Sequence, residues 1–192
     1  MKLFSILFLS LFLLHQHESV ENKIEVIIKE DSRLFIKGTS NVNQFTCDYK
    51  KPLEPQSLSL IYEEIEKSWV LQDAELFLKS TSFDCGGRKI NKDFQELIKS
   101  SQFPAIQIEV CEIKPEDSHL TAKIEVSIAG ITKPFPVTIA IDNDNDFTYT
   151  SILKLNIEDF DLKAPTKMMG LIKVHEEISI HVKLHLEVSI KD

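Results

Sequence analysis

Residues 177–190 read EISIHVKLHLEVSI, and this stretch decides the fold. Every second residue is apolar, from Ile178 to Ile190, and the residues between them are polar. Side chains of a strand alternate between its two faces, whereas the 3.6-residue period of a helix would scatter these apolar residues around the axis. The stretch is therefore predicted to be a strand roughly 45 Å long with one apolar face. A strand of that length curves, which favours a sheet that closes into a barrel.

The same two-residue alternation recurs through the chain and predicts about eight strands in an all-β fold. The regular segments are 24–31, 33–40, 105–111, 120–128, 135–141 and 147–155, and the less regular ones are 58–64 and 74–80. Between them, Val42 and Phe45 fall on opposite faces, which predicts a bulge or corner near residues 41–50.

One segment breaks the β pattern and predicts a helix over residues 88–103. Ile90, Phe94, Leu97 and Ile98 follow the i, i+4, i+7, i+8 spacing of one helix face, and Pro104 ends the segment. A helix inserted among strands is expected to cap one end of the barrel. The sequence does not separate a purely structural cap from a lid over a ligand entrance.

The N-terminus resembles a secretory signal peptide. Lys2 precedes an apolar run at 3–14 that is too short to cross a bilayer, and a polar segment follows it. We therefore expect a signal peptide at 1–19, a single domain at 20–192, and a periplasmic or secreted protein. The alternative is an uncleaved N-terminal anchor, because no A-x-A cleavage tripeptide follows the run. No other run approaches the length of a membrane span.

Charge and cysteine content limit the classes of partner. The formal net charge is −8 and no cluster of Lys or Arg occurs, which argues against nucleic acid and anionic lipid surfaces. The chain has three cysteines, Cys47, Cys85 and Cys111, in a compartment expected to be oxidising. One disulfide and one free thiol fit this count, with three pairings open. No C-x-x-C spacing indicates a metal or redox motif.

Motifs for catalysis and metal binding are missing from the sequence. It contains no G-x-S-x-G, H-E-x-x-H, P-loop or G-x-G-x-x-G pattern. The acidic run 142–146 lacks the glycine and glutamate of a calcium loop, and His181 and His185 lie about 13 Å apart on one strand. We therefore expect a binding protein rather than an enzyme, with no metal and no cofactor.

Several segments together resemble the YceI-like family of lipocalin-like, polyisoprenoid-binding periplasmic proteins. The resemblance rests on the run 78–110, with Ser82–Phe83, the helix residues 91–94 and Phe103–Pro104. It also rests on the G-x-T-K-P turn within 124–141, on LNIEDFDLKAP at 155–165 and on the corner GTSNVNQF at 38–45. These motifs cover almost all of the chain after the N-terminal segment, and none of them is decisive alone.

The resemblance implies an extended, antiparallel, eight-stranded β-barrel, capped by the helix, whose apolar interior holds a long isoprenoid or other lipid. The lining residues that follow from this resemblance and from the inward faces are Ile36, Leu76, Leu78, Ile108, Ile124, Val126, Phe135, Val137, Ile180 and Val182. The residues expected at the mouth or lid are Phe94, Met168 and Met169.

The cysteines depart from the family pattern, and the function that the family implies has an alternative. Cys47 and Cys85 are absent from the family members most directly compared, and a bridge between them would tie the corner to the loop before the helix. The alternative function is a structural or interaction barrel whose interior is filled by its own side chains. A homodimer is compatible with either function.

Overall fold

The computed structural model describes residues 22–142, 147–167 and 171–191. Within these ranges thirteen strands and one α-helix form. The first seven strands are β1 (Asn22–Ile28), β2 (Arg33–Ser40), β3 (Gln44–Tyr49), β4 (Ser57–Ile65), β5 (Ser68–Gln72), β6 (Glu75–Lys79) and β7 (Phe83–Asp84). The helix α1 (Arg88–Leu97) follows, and then β8 (Ala105–Pro115), β9 (His119–Ile128), β10 (Ile131–Asp142), β11 (Thr148–Asn156), β12 (Thr166–Lys167) and β13 (Ile172–Lys191).

Eight of these strands close into an antiparallel ring. The order is β1-β4-β5-β8-β9-β10-β11-β13, and β13 pairs with β1 to close it. Pairing along both edges satisfies the backbone hydrogen bonds that an open sheet would expose at its edges. The predicted eight-stranded barrel is confirmed.

The longest strand, β13, makes the barrel extended. One edge pairs with β11, while the other edge pairs first with β2 and, further along, with β1. Strand β8 behaves similarly, because β6 pairs near its start and β5 further on. Near the helix, the wall therefore runs from β13 through β2, β3 and the consecutive strands β6 and β7 to β8.

The two ends of the barrel differ. The helix end carries α1, the β9–β10 turn and the 3₁₀ helix Ile157–Phe160. The hairpin end carries the β4–β5 and β8–β9 turns and the outer ends of β1 and β13. These two names are used below.

Helix α1 is held to the chain before it by hydrogen bonds. Asn91 Oδ1 accepts from the Cys85 amide at 2.7 Å, and Asn91 Nδ2 donates to Asp84 Oδ1 at 3.1 Å. The helix ends earlier than the pattern predicts, at Leu97, because Lys99 adopts a left-handed φ of 54°.

A disulfide joins Cys47 on β3 to Cys85, directly after β7. Their Cα atoms lie 3.9 Å apart, both residues are buried, and Cys111 remains free. The bridge reinforces a seam where β3 and β7 share only two residue pairs. It therefore adds a covalent tie where the hydrogen-bonded pairing is shortest.

Strand β5 was not predicted, although it completes the ring. It has only five residues and lies between polar turns, so the alternation is too brief to stand out. Its wall position places Trp69 opposite Ile113 of β8. The expected signal peptide at 1–19 lies outside the described residues and stays a prediction, as does the domain boundary.

Candidate binding pocket in the barrel interior

Strand register identifies the side chains that point into the barrel. Residues directly opposite each other in an antiparallel pair share a face. Leu153 lies opposite Ile180, and both are buried, so this face is the interior. Counting in twos from these positions assigns Tyr149 and Leu184 to the same inner face.

The interior near the helix end is filled by the protein's own side chains. These residues, named the filled half, are at most 4% exposed and belong to one apolar cluster. They are Leu34, Ile36, Cys47, Leu78, Phe83, Ile106, Val126, Phe160 and Ile180. Burial this complete leaves no inner surface there for a ligand to touch.

The interior toward the hairpin end is only partly filled: Val26, Ile28 and Leu60 are buried there, but many other inward apolar side chains keep part of their surface exposed. These inward-facing residues, named the open half, are only partly buried. They are Ile24, Leu58, Tyr62, Trp69, Leu71, Val110, Ile113, Leu120, Ile139, Ile141, Tyr149, Val182, Leu184 and Leu186. An inward side chain remains exposed only where solvent reaches the barrel interior. This half therefore offers apolar surface to an entering molecule.

Along the inner face of β13, exposure rises from Ile180 toward the rim. Ile180 is 1% exposed, Val182, Leu184 and Leu186 are partly exposed, and Ile190 is 79% exposed. On the neighbouring strand β1, Ile28 and Val26 lie opposite Leu186 and Val188 and are buried. The exposed apolar surface at these levels therefore belongs to β13 rather than to β1.

Three aromatic residues lie in the open half. The rings of Tyr62 and Trp69 meet edge to face, with centroids 6.4 Å apart. Tyr149 of β11 lies opposite Leu184 of β13, and burial raises the pKa of its phenol. Aromatic rings with a polar atom suit the boundary between an apolar cavity and water.

The hydroxyl of Ser151, on the inner face of β11, is hydrogen-bonded to the backbone. Ser151 lies opposite Val182, and its hydroxyl donates to the Thr138 carbonyl at 2.9 Å. A satisfied hydroxyl adds little polarity to the surface. The lining around it therefore stays suited to a hydrocarbon.

The predicted lining residues are divided between the two halves and the zone between them. Ile36, Leu78, Val126 and Ile180 belong to the filled half. Ile108, Ile124 and Val137 are less than 10% exposed, while Leu76, Phe135 and Val182 keep more surface. Their role in lipid binding stays a prediction. The even alternation of the sequence did not indicate which level of the barrel would be filled.

Of the predicted mouth residues, Phe94 does not lie around the open half. Its ring packs against buried Phe83, with centroids 5.2 Å apart, at the helix end. Helix α1 therefore plugs the filled half, where its apolar face is needed to cover the core. Met168 and Met169 lie outside the described residues.

Tyr62, Trp69 and Leu71 were not predicted as lining residues. All three lie on the β4–β5 hairpin, and Trp69 and Leu71 belong to the strand that the pattern did not reveal. Val70 between Trp69 and Leu71 is apolar as well, so the segment lacks the alternation that would have indicated a strand with one inner face.

Two grooves lie away from the open half. One, of about 360 Å³, is lined by Phe77 and Thr132, which alternate with inward residues on their strands, so this groove is on the outer face. The second, of about 490 Å³, is lined by Lys154 and other polar residues together with Phe45 and Ile178, which pack against the core on the helix-end side of the filled half.

Two histidines of β13, His181 and His185, are partly buried on its outer face. His181 stacks on Phe35 with centroids 4.6 Å apart, and burial together with Lys37 lowers its pKa. His185 Nδ1 lies 3.4 Å from Asp31 and its side chain is 16% exposed. Both serve the packing of the outer face.

Acidic residues face each other across the outer face at β8. Glu109 lies directly opposite both Glu75 and Glu125. Burial, followed by these carboxylates and Asp73, raises the pKa of Glu109. In the part of the chain that the structure describes, no group of three or more His, Cys, Asp or Glu side chains has a geometry for a metal ion.

No family model matches the sequence. No curated protein matches it either. Among solved structures, BcnA from Burkholderia cenocepacia is similar with a TM-score of 0.55 at 14% identity, over 88% of this chain and 96% of that chain. A polyisoprenoid binding domain from Saccharophagus degradans, implicated in plant cell wall breakdown, matches with a TM-score of 0.54 at 8% identity, over 85% and 98% of the two chains. A Campylobacter jejuni YCEI protein has a TM-score of 0.49 at 14% identity, over 70% and 81%.

The first two similarities extend over nearly the whole of both chains. At such low sequence identity they show a shared fold. They confirm, at the level of the fold, the lipocalin-like barrel that the sequence predicts. Among the described residues, no helix is long and apolar enough to span a membrane.

Proposed function

We propose that this protein is an exported, non-enzymatic carrier that holds a polyisoprenoid or similar long-chain lipid in the open half of its barrel. The observation that carries the proposal is the partly exposed apolar lining of the open half. Apolar surface facing an interior is unfavourable in water, and a hydrocarbon covering it gains about 25 cal/mol for each Å² removed from water. Export and a periplasmic or secreted location belong to the same proposal.

The chemistry of the lining supports a lipid over a polar ligand. The open half combines aliphatic side chains with Tyr62, Trp69 and Tyr149, and the Ser151 hydroxyl is bound to the backbone. A polar ligand would need convergent donors, acceptors or charges. The structural neighbour from Saccharophagus degradans is described as a polyisoprenoid binding domain, which agrees with a lipid ligand.

The alternative function is a structural or interaction barrel without a ligand. The filled half favours it, because Val126, Phe160 and Ile180 show that this barrel can close over its own side chains. It predicts that the open half also closes in solution.

Native mass spectrometry of protein purified from its own host distinguishes the two functions. The carrier function predicts a lipid adduct that organic extraction removes and that a long-chain polyprenol restores. Recovery of empty protein that also fails to bind added polyprenol would support the ligand-free barrel.

A further inference from the structure

The filled half closes the barrel interior at one end. Ile180, Val126 and Leu78 come from three different strands and are at most 1% exposed. Phe160 lies beneath them on the 3₁₀ helix and stacks on Phe135 with centroids 6.2 Å apart. Interiors packed this tightly have no passage for an alkyl chain, because they contain few voids larger than a water molecule.

The helix end is also covered from outside. Phe94 of α1 packs on Phe83, and Ile98, just after the helix, is buried in the same cluster. At the β9–β10 turn, a Cβ at Gly130 would lie 2.5 Å from the Phe103 ring. Phe103 therefore packs closely on that turn from the outer face, and entry at the helix end would require α1 to leave its place.

At the hairpin end the same interior is open. Val188 is 51% exposed and Ile190 79%, although both lie on the inner face of β13. From Val188 down to Ile180 the strand advances eight residues, which is roughly 20 Å along the axis of a barrel with tilted strands. The exposed apolar surface of β13 thus lies toward the hairpin end and its buried surface toward Ile180.

Charge differs between the two ends. Near the hairpin end, in and beside the turns and strand ends, six acidic side chains outnumber three lysines among the described residues. They are Glu63, Glu64, Glu66, Glu116, Asp117 and Asp142, with Lys23, Lys67 and Lys114. At the helix end, residues 88–99 and 157–160 carry four basic and four acidic side chains. An anionic head group at the hairpin end would therefore be repelled.

We infer that the barrel is a blind pocket, entered only at the hairpin end, that takes a lipid tail-first down to a floor at Ile180 and leaves an uncharged head group at an acidic mouth. This inference rests on the proposed lipid-binding function and specifies it. The pocket selects for tail length by its floor and for head-group charge by its mouth. Leu184, four residues from Ile180 and so about 10 Å above the floor along the barrel axis, is a position that determines the usable depth.

The test uses linear primary alcohols of increasing chain length as probes, titrated against the lipid-free protein. Each methylene that becomes buried strengthens binding about fourfold, since it contributes about 0.8 kcal/mol. The dissociation constant is expected to fall at each step and then to level off once the tail, at roughly 20 Å, reaches the floor. Alkyl phosphates of equal length are expected to bind more weakly, with a gap that narrows at high salt.

Two variants locate the entrance and the depth. Leu184→Phe is expected to move the levelling point to shorter alcohols, and Leu186→Phe, nearer the mouth, serves if the first variant folds poorly. Phe94→Ala, at the helix end, is the matched control and should leave the levelling point unchanged. Thermal unfolding of each variant confirms that it is folded.

The outcomes separate this inference from the proposed function. Alcohols that bind with no levelling point, or a levelling point that shifts in Phe94→Ala and not in Leu184→Phe, would overturn the blind pocket and leave the carrier function standing. Alkyl phosphates that bind as tightly as alcohols at low salt would overturn the acidic mouth. No binding of any alcohol or polyprenol would overturn both proposals.

Discussion

Replacing both bridged cysteines, Cys47→Ala with Cys85→Ala, removes the covalent tie across the β3–β7 seam. The bridge spans a sequence separation of 38. The chain-entropy relation gives about 3.9 kcal/mol at 25 °C for a loop of that length. Loss of the buried sulfur atoms adds to this value, whereas residual structure in the unfolded chain reduces it. We expect the free energy of unfolding to fall by about 3 to 4 kcal/mol.

Urea unfolding monitored by circular dichroism measures this loss. Cys111→Ala is the matched control, because Cys111 is free and only partly buried, and we expect it to change the free energy by less than about 1 kcal/mol. Reducing agent should bring the wild type to the stability of the double variant and should leave that variant unchanged. A double variant that loses less than about 1 kcal/mol would refute a stabilising role of the bridge.

Three further substitutions test the packing and electrostatics of the wall. Glu109→Gln removes a carboxylate that lies opposite two others, so at pH 7 we expect the free energy of unfolding in urea to rise by about 0.2–1 kcal/mol. The pKa of Glu109 is raised, and the gain should vanish at a pH below this pKa, where Glu109 is already neutral. The control Glu112→Gln, which loses a lysine partner, should give no gain. Gly38→Ala places a Cβ against the Phe45 ring and should cost about 1–3 kcal/mol in the same assay, with partial recovery when Phe45→Leu is added; an unchanged midpoint would contradict the close contact. The pKa of His181 is lowered in the folded state, so as the pH falls below about 6.5 the unfolded chain takes up this proton first, and the folded state loses stability until the pH reaches its own pKa. The melting temperature of His181→Gln should therefore fall less between pH 7.5 and 5.5 than that of the wild type. Equal falls would contradict the assignment.

The alternation of apolar and polar residues predicted the barrel because the strands of its wall each place their apolar side chains on one face. The pattern at residues 177–190 is regular enough to define inside and outside for β13 and, through register, for its neighbours. The helix face around Phe94 was equally readable from its spacing. These features depend only on the spacing of apolar residues within one segment, so they can be predicted from the sequence of that segment.

The division of the interior into a filled and an open half was not predictable from that pattern. Ile180 and Val182 have the same period and similar side chains, yet one is buried and the other is partly exposed. The difference arises from residues far apart in sequence, such as Phe160 and Phe83, which occupy the space at one end. Packing depends on the summed volume of such distant side chains, which no local pattern records.

The most direct test of the carrier function uses Trp69, the only tryptophan of the chain, which lies in the open half. Its emission is followed while a long-chain lipid with a brominated tail is added to the lipid-free protein, and the unbrominated lipid serves as the control. Lipid binding in the open half predicts saturable quenching by the brominated lipid and a shift to shorter wavelength with both lipids. Binding by mass spectrometry with no change in Trp69 emission would place the lipid elsewhere and contradict the proposed pocket.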